Sequence, residues 1–246
     1  MSQAPAISPP GARPGKDPPA AQFRILGSLA ASIAGEPIPL GGPKQRLILA
    51  LLILEANRIV SADRLIAQVW GDEPPDAARG TLQAYISRLR RALGVTRIEA
   101  QAPGYVLRAE RDEVDGDQFE RQVAEARRRL DSDPQAAKTM LDAALGLWRG
   151  PALDDLSTEP SVHAHVSRLE ELRVSALGLS VEAGMALGHH AELLGELERL
   201  VAQHPLHELK TKADPFRAQC LDGVEHVLRS LHQSVCRRME NERTIR

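Results

Sequence analysis

The chain has 246 residues, of which 43% are hydrophobic, 26% charged and only 3% aromatic, with a net charge of −2 and two cysteines. Such a chain can bury one large core or two ordinary ones. Its cysteine count excludes a disulfide framework, its few aromatics argue against base-stacking on single strands, and no apolar run approaches the roughly 20 residues of a membrane span. The small net charge hides an asymmetry: residues 44–108 hold 10 Lys and Arg against 6 Asp and Glu, whereas residues 109–205 hold 10 against 19. The first stretch can approach phosphate and the second is repelled by it, which points to two domains with different partners.

Residues 1–22 carry the chain's densest prolines and read as a disordered arm. The arm lacks the apolar centre of a secretory signal, so cytoplasm is the expected compartment. Three short strands follow, FRIL, AASIA and EPIPL, broken at Gly27 and Gly35. Pro43 opens a helix over KQRLILALLILEAN that is apolar on most faces and therefore central. Ser61 is a suitable N-cap for the helix ADRLIAQVW, which Gly71 closes, and the proline-bearing GDEPPDAA is a loop. In RGTLQAYISRLRRALG the apolar residues Leu82, Ile86, Leu89 and Leu93 form one narrow stripe. Gly80, Ala84, Ser87, Arg88 and Arg91 then lie on the opposite face, flanked by Thr81 and Tyr85 on one side and by Gln83 and Arg90 on the other. RIEAQ and YVLRA make a hairpin, with Tyr105 in its core. Beyond it, QFERQVAEARRRL, QAAKTMLDAALGLW, a long segment ending in GMAL, and HAELLGELERLVAQ are amphipathic helices in a tetratricopeptide-like series, with Trp70 and Trp148 as core anchors.

Strands, three helices and a hairpin in that order make a winged helix-turn-helix, whose third helix fits the major groove. Small Gly80, Ala84 and Ser87 permit close seating, and Arg88, Arg90 and Arg91 bring cations. On pattern alone the same arginines also fit a solvated helix face. The expected fold is mainly α with small β elements: a winged helix at 23–110 and an all-helical repeat domain at 111–246.

The motifs FRILG, GGPKQR, VSADRLIAQVWG, LQAYISRLRRALG and APGYVL resemble the OmpR-type winged helix, in particular that of the Streptomyces antibiotic regulatory protein family. DEVDGDQFERQVAEAR, ALGLWRGPALDDL, RLEELRVSAL and ALGHHAELLGELERLVAQHPL are similar to that family's bacterial transcriptional activation domain. The resemblance covers residues 23–206 and implies a DNA-binding transcriptional activator. Such a regulator would bind double-stranded DNA as a homodimer on direct repeats and place its acidic domain beside RNA polymerase. The resemblance further implies Thr81, Ala84, Ser87 and Arg88 at base edges, and Tyr85, Arg90 and Arg91 at phosphates. Lys44 and Arg46 would sit at a helix N-terminus that favours an anion, and Arg97 and Arg108 would add wing contacts. A protein-interaction adaptor whose winged helix binds protein is the alternative. A fragment ending near Arg108 is expected to keep its DNA affinity per half-site and lose activation. Neither a preceding receiver domain nor a following nucleotide-binding domain is expected.

No phosphate loop, HExxH or GxSxG elbow occurs, so no cofactor, metal or enzymatic role is expected. Asp154 and Asp155 are neighbours whose side chains diverge. Cys220 and His226 lie off the helix face shared by His232 and Cys236, which spoils a tetrahedral site. After Leu206 the family pattern fades. There Val224, Val227, Leu228, Leu231 and Val235 form a stripe expected to dock as a substitute cap on the last hairpin, the alternative being a disordered remnant of a shifted reading frame.

Overall fold

The computed structural model describes residues 20–189 and Gln233. The last helix of the expected series and the cap helix fall outside them. Strands β1 (Ala21–Arg24), β2 (Ala30–Ile33) and β3 (Glu36–Pro37) form an antiparallel sheet in chain order. Along β1, Ala21 and Phe23 are buried while Gln22 and Arg24 face out, the two-residue period of a half-buried strand. β3 is shorter than the EPIPL segment suggests, since Pro37 and Pro39 have no N–H to donate to a ladder.

Helix α1 (Pro43–Leu54) starts on its proline and buries every residue from Leu47 to Ile53, so it is wrapped on all sides. Helix α2 (Ala62–Trp70) is capped as its sequence suggests: Ser61 Oγ accepts the Arg64 N–H at 3.1 Å, and Gly71 ends the helix at a φ of 66°. Helix α3 (Ala78–Leu93) buries Leu82, Ile86, Leu89 and Leu93. The hairpin of β5 (Ile98–Gln101) and β6 (Gly104–Leu107) gains a third strand the pattern does not reveal. This is β4 (Val60–Ser61), and the sheet runs β4–β6–β5.

Helices α4 (Asp115–Arg129), α5 (Pro134–Leu145) and α6 (Pro160–Ala186) pack in series, α5 against both others, with a 3₁₀ turn at Asp154–Leu156 before α6. Asp133 caps α5 by accepting the Ala136 N–H at 3.0 Å. Trp148 meets Phe119 edge to face, centroids 5.3 Å apart, under the guanidinium of Arg173. Among the described residues no helix is long and apolar enough to cross a membrane.

The two halves share one apolar cluster, which runs from Phe23 and Leu26 through α1 to Phe119, Leu141 and Leu156. The N-terminal sheet and the loop after β1 bond directly to the second half. The Phe23 N–H donates to the Glu113 carbonyl (2.6 Å), the Arg149 N–H to Leu26 (2.8 Å) and the Leu153 N–H to Ile25 (2.9 Å). Asp115 accepts the N–H groups of Ile25 and Leu26 at 2.7 and 3.2 Å. Gly116 lies where a Cβ would come within 2.8 Å of Ile25 Cδ1, so α4 approaches this segment closely.

Candidate nucleic-acid interface

With its stripe buried, α3 presents Gly80, Gln83, Ala84, Ser87, Arg88 and Arg91 to solvent as one continuous face. Thr81 and Tyr85 are half-buried at its border. The Thr81 hydroxyl donates back to the Ala77 carbonyl at 3.1 Å, which turns it toward its own helix. Gln83, placed on a flank by the periodicity, is as open as the rest. Its amide can donate and accept at an adenine edge, so it joins the candidate set. Arg88 lies 5.8 Å from the Tyr85 ring, and that contact favours an extended side chain pointing off the helix.

The other cations are distributed less simply. Lys44 is exposed in the first turn of α1 and stands 5.1 Å from the Trp70 ring. Arg90 turns away from the open face: its Nε donates to the Ile98 carbonyl at 2.7 Å and its guanidinium lies 6.0 Å from the Tyr105 ring. It therefore ties the helix to the wing. Arg108 is exposed and paired with Glu99 across the wing (2.7 Å), a surface pair that costs little to exchange for a phosphate.

Two expected contacts are corrected. Arg97 is only 3% exposed, and its guanidinium grips the Glu113 carboxylate at 2.6 and 2.7 Å. It is an internal strut and does not face a duplex. Arg46 donates through Nε to Asp155 at 2.7 Å and through Nη2 to the Leu29 carbonyl at 2.6 Å. Asp155 also accepts the Leu29 N–H (2.7 Å), so this one carboxylate of the Asp154–Asp155 pair supplies a latch between the N-terminal sheet, α1 and the helical region. Neither partner of Arg97 or Arg46 lies near it in sequence, and no local signal could have found them.

The seam carboxylates are electrostatically opposed. Burial alone would push Glu113 up, but hydrogen bonds from Arg97, Ala21 and Glu110, together with the Arg97 charge, hold it below its ordinary value. Burial raises Asp115, against the pull of the Ile25 and Leu26 amides and of Arg149. A lowered carboxyl stabilises the fold above its unfolded pKa, and that contribution is lost as pH falls through the folded value. Asp115 runs the other way, contributing most when protonated. Glu113→Gln should therefore lower the melting temperature at neutral pH and flatten its decline toward acid. An acid limb as steep as that of the unsubstituted chain would contradict this assignment.

An open, partly cationic recognition-helix face with a three-stranded wing, fused to a helical array, defines the architecture of an OmpR-type regulator. Comparison with known families agrees: "Transcriptional regulatory protein, C terminal" matches residues 35–107 and "Bacterial transcriptional activator domain" matches residues 114–235. The regulatory protein DnrI of Streptomyces peucetius is 35% identical over 76% of this chain and 73% of its own length. MoaR1 of Mycobacterium tuberculosis is 37% identical over 77% of this chain and 63% of its own. AfsR of Streptomyces griseus is 36% identical over 77% of this chain but only 19% of its own length, so this chain spans a fraction of some relatives. The solved structure of Mycobacterium tuberculosis EmbR, in complex with a low-affinity phosphopeptide, superposes with a TM-score of 0.72 at 29% identity. It covers 89% of this chain and 66% of that one. The chain belongs to the Streptomyces antibiotic regulatory protein family, whose matched relatives are named as transcriptional regulators.

Proposed function

We propose that the chain is a sequence-specific, DNA-binding transcriptional regulator that acts in the cytoplasm as an activator, without enzymatic activity. The observation that carries this reading is the open face of α3, where the small residues Gly80, Ala84 and Ser87 and the amide of Gln83 lead up to Arg88 and Arg91, two arginines that form no ion pair among the described residues. Helix α3 lies in the major groove, Arg88 and Gln83 read base edges, and Arg91, Lys44 and Arg108 hold phosphates. Two copies bind direct repeats, and the acidic helical region, repelled by the duplex, meets RNA polymerase.

Selection of duplexes from a randomised pool by the full chain, followed by gel shifts across a salt series, tests the proposal. Arg88→Ala should weaken the selected site by about 1–3 kcal/mol and relax preference at one base pair. Arg91→Ala should weaken selected and random duplexes alike and reduce the slope of log K against log salt by about 1. If no sequence is enriched at any salt, the adaptor reading takes its place.

A further inference from the structure

We infer that Arg97 and Glu113 form a positioning pair that sets the wing against the recognition helix from the helical side, so that DNA affinity depends on a carboxylate no phosphate approaches. The inference rests on the proposed binding of duplex DNA. Four chain segments meet at this pair. The Arg97 N–H donates to Gly94 at the end of α3 (3.2 Å), and its carbonyl accepts the Arg108 N–H (2.7 Å). Its side chain reaches the Arg108 carbonyl at 3.4 Å and holds Glu113 with two nitrogens. Glu113 in turn accepts the Ala21 N–H at the start of β1 and the Glu110 N–H of the connector, each at 2.8 Å.

An ion pair buried this deeply is a poor way to add stability, because desolvating both charges offsets their attraction. A planar guanidinium held by two nitrogens supplies direction instead. On the far side of the α3–β5 turn, Arg90 binds the Ile98 carbonyl and joins helix to wing directly. Arg97 adds the only one of these two struts that reaches β1 and the connector into α4. A shift of the helical region thus moves the base of the wing through Glu113, and a duplex seated on the wing pulls on Glu113 in return.

The test uses the full chain and a duplex it has itself selected. Glu113→Gln keeps the shape and removes the charge; Arg97→Lys keeps the charge and removes the fork. Each should speed hydrogen exchange at the Arg108 amide by about tenfold, leave the Leu89 amide in α3 unchanged, and weaken duplex binding by about fivefold. In the unsubstituted chain, saturation with the duplex should slow exchange at the Ala21 and Glu110 amides by about threefold, since coupling is reciprocal. That arm needs no variant to fold. Unchanged Arg108 exchange in both variants, duplex affinity within about twofold of the unsubstituted chain despite faster exchange, or unaltered Ala21 and Glu110 exchange on saturation would each overturn the pair's role. Should the unsubstituted chain select no duplex at all, the functional reading itself fails, before any variant is made.

Discussion

Gly104→Ala is expected to open the wing. Gly104 pairs with Ser61 where β6 crosses β4, and an added Cβ would overlap the Val60 carbonyl oxygen and stand 2.6 Å from Ser61 Cα. Both neighbours are main chain and cannot rotate away, so β4 must leave β6. The hydrogen bond from the Ala62 N–H to the Pro103 carbonyl (3.1 Å) goes with it, and Ser61, the cap of α2, is displaced. Overpacking of this kind costs about 3 kcal/mol or more, which for a chain of this length lowers the melting temperature by roughly 10 °C. Gly80→Ala is the control. Its Cβ meets nothing within 4 Å, and Ala in place of a helical Gly should stabilise by about 0.5–1 kcal/mol. A melting temperature for Gly104→Ala within two or so degrees of the unsubstituted chain would remove the steric argument.

The contrast between these two glycines marks what the sequence makes legible. Elements built on local periodicity and capping are read correctly: the α3 stripe, the Ser61 cap, the Gly71 stop and the open face opposite Leu82 and Leu89 all follow from residues a few positions apart. Strand β4 is two residues long and shows no alternation; only the register with Tyr105 and Gly104 reveals it. The need for glycine at 104 is equally invisible, since it comes from a backbone 44 positions earlier rather than from a positive φ. The arginines divide in the same way. Arg88 and Arg91 can be placed by counting 100° per residue, whereas Arg97 and Arg46 are claimed by carboxylates 16 and 109 positions away. Charge counting credits residues 44–108 with a surplus for phosphate, but part of that surplus neutralises Glu113 in the connector before α4 and Asp155 in the 3₁₀ turn before α6. The open face of α3 and the wing are therefore less cationic than composition implies, and the proposed reading of bases rests on Gln83 and Arg88.

A fragment ending near Arg108, expected from charge alone to keep its DNA affinity, should instead fail to melt cooperatively. Five main-chain N–H groups of the N-terminal sheet and its loop, those of Ala21, Phe23, Ile25, Leu26 and Leu29, donate to acceptors on Glu113, Asp115 and Asp155. Each bond contributes about 1 kcal/mol net. Their joint loss is comparable with the lower end of the about 5–15 kcal/mol that holds a domain folded. Worse, Phe23, Ile25 and Leu26 are 0–3% exposed in the intact chain, in part beneath α4, and the cut would open that cover to water. Arg97 would also lose its carboxylate, and breaking one side of a buried pair costs about 3–5 kcal/mol. Against these terms the cut relieves only long-range repulsion between the duplex and the acidic helices, which salt screens beyond about 10 Å. Scanning calorimetry of residues 20–108 beside the full chain checks the expectation: no cooperative transition in the fragment, and duplex affinity reduced by about tenfold or more as the wing loses its base. A sharp transition within a few degrees of the full chain's, with unchanged affinity for a single half-site, would mean that the seam is a contact between independent domains rather than part of one core.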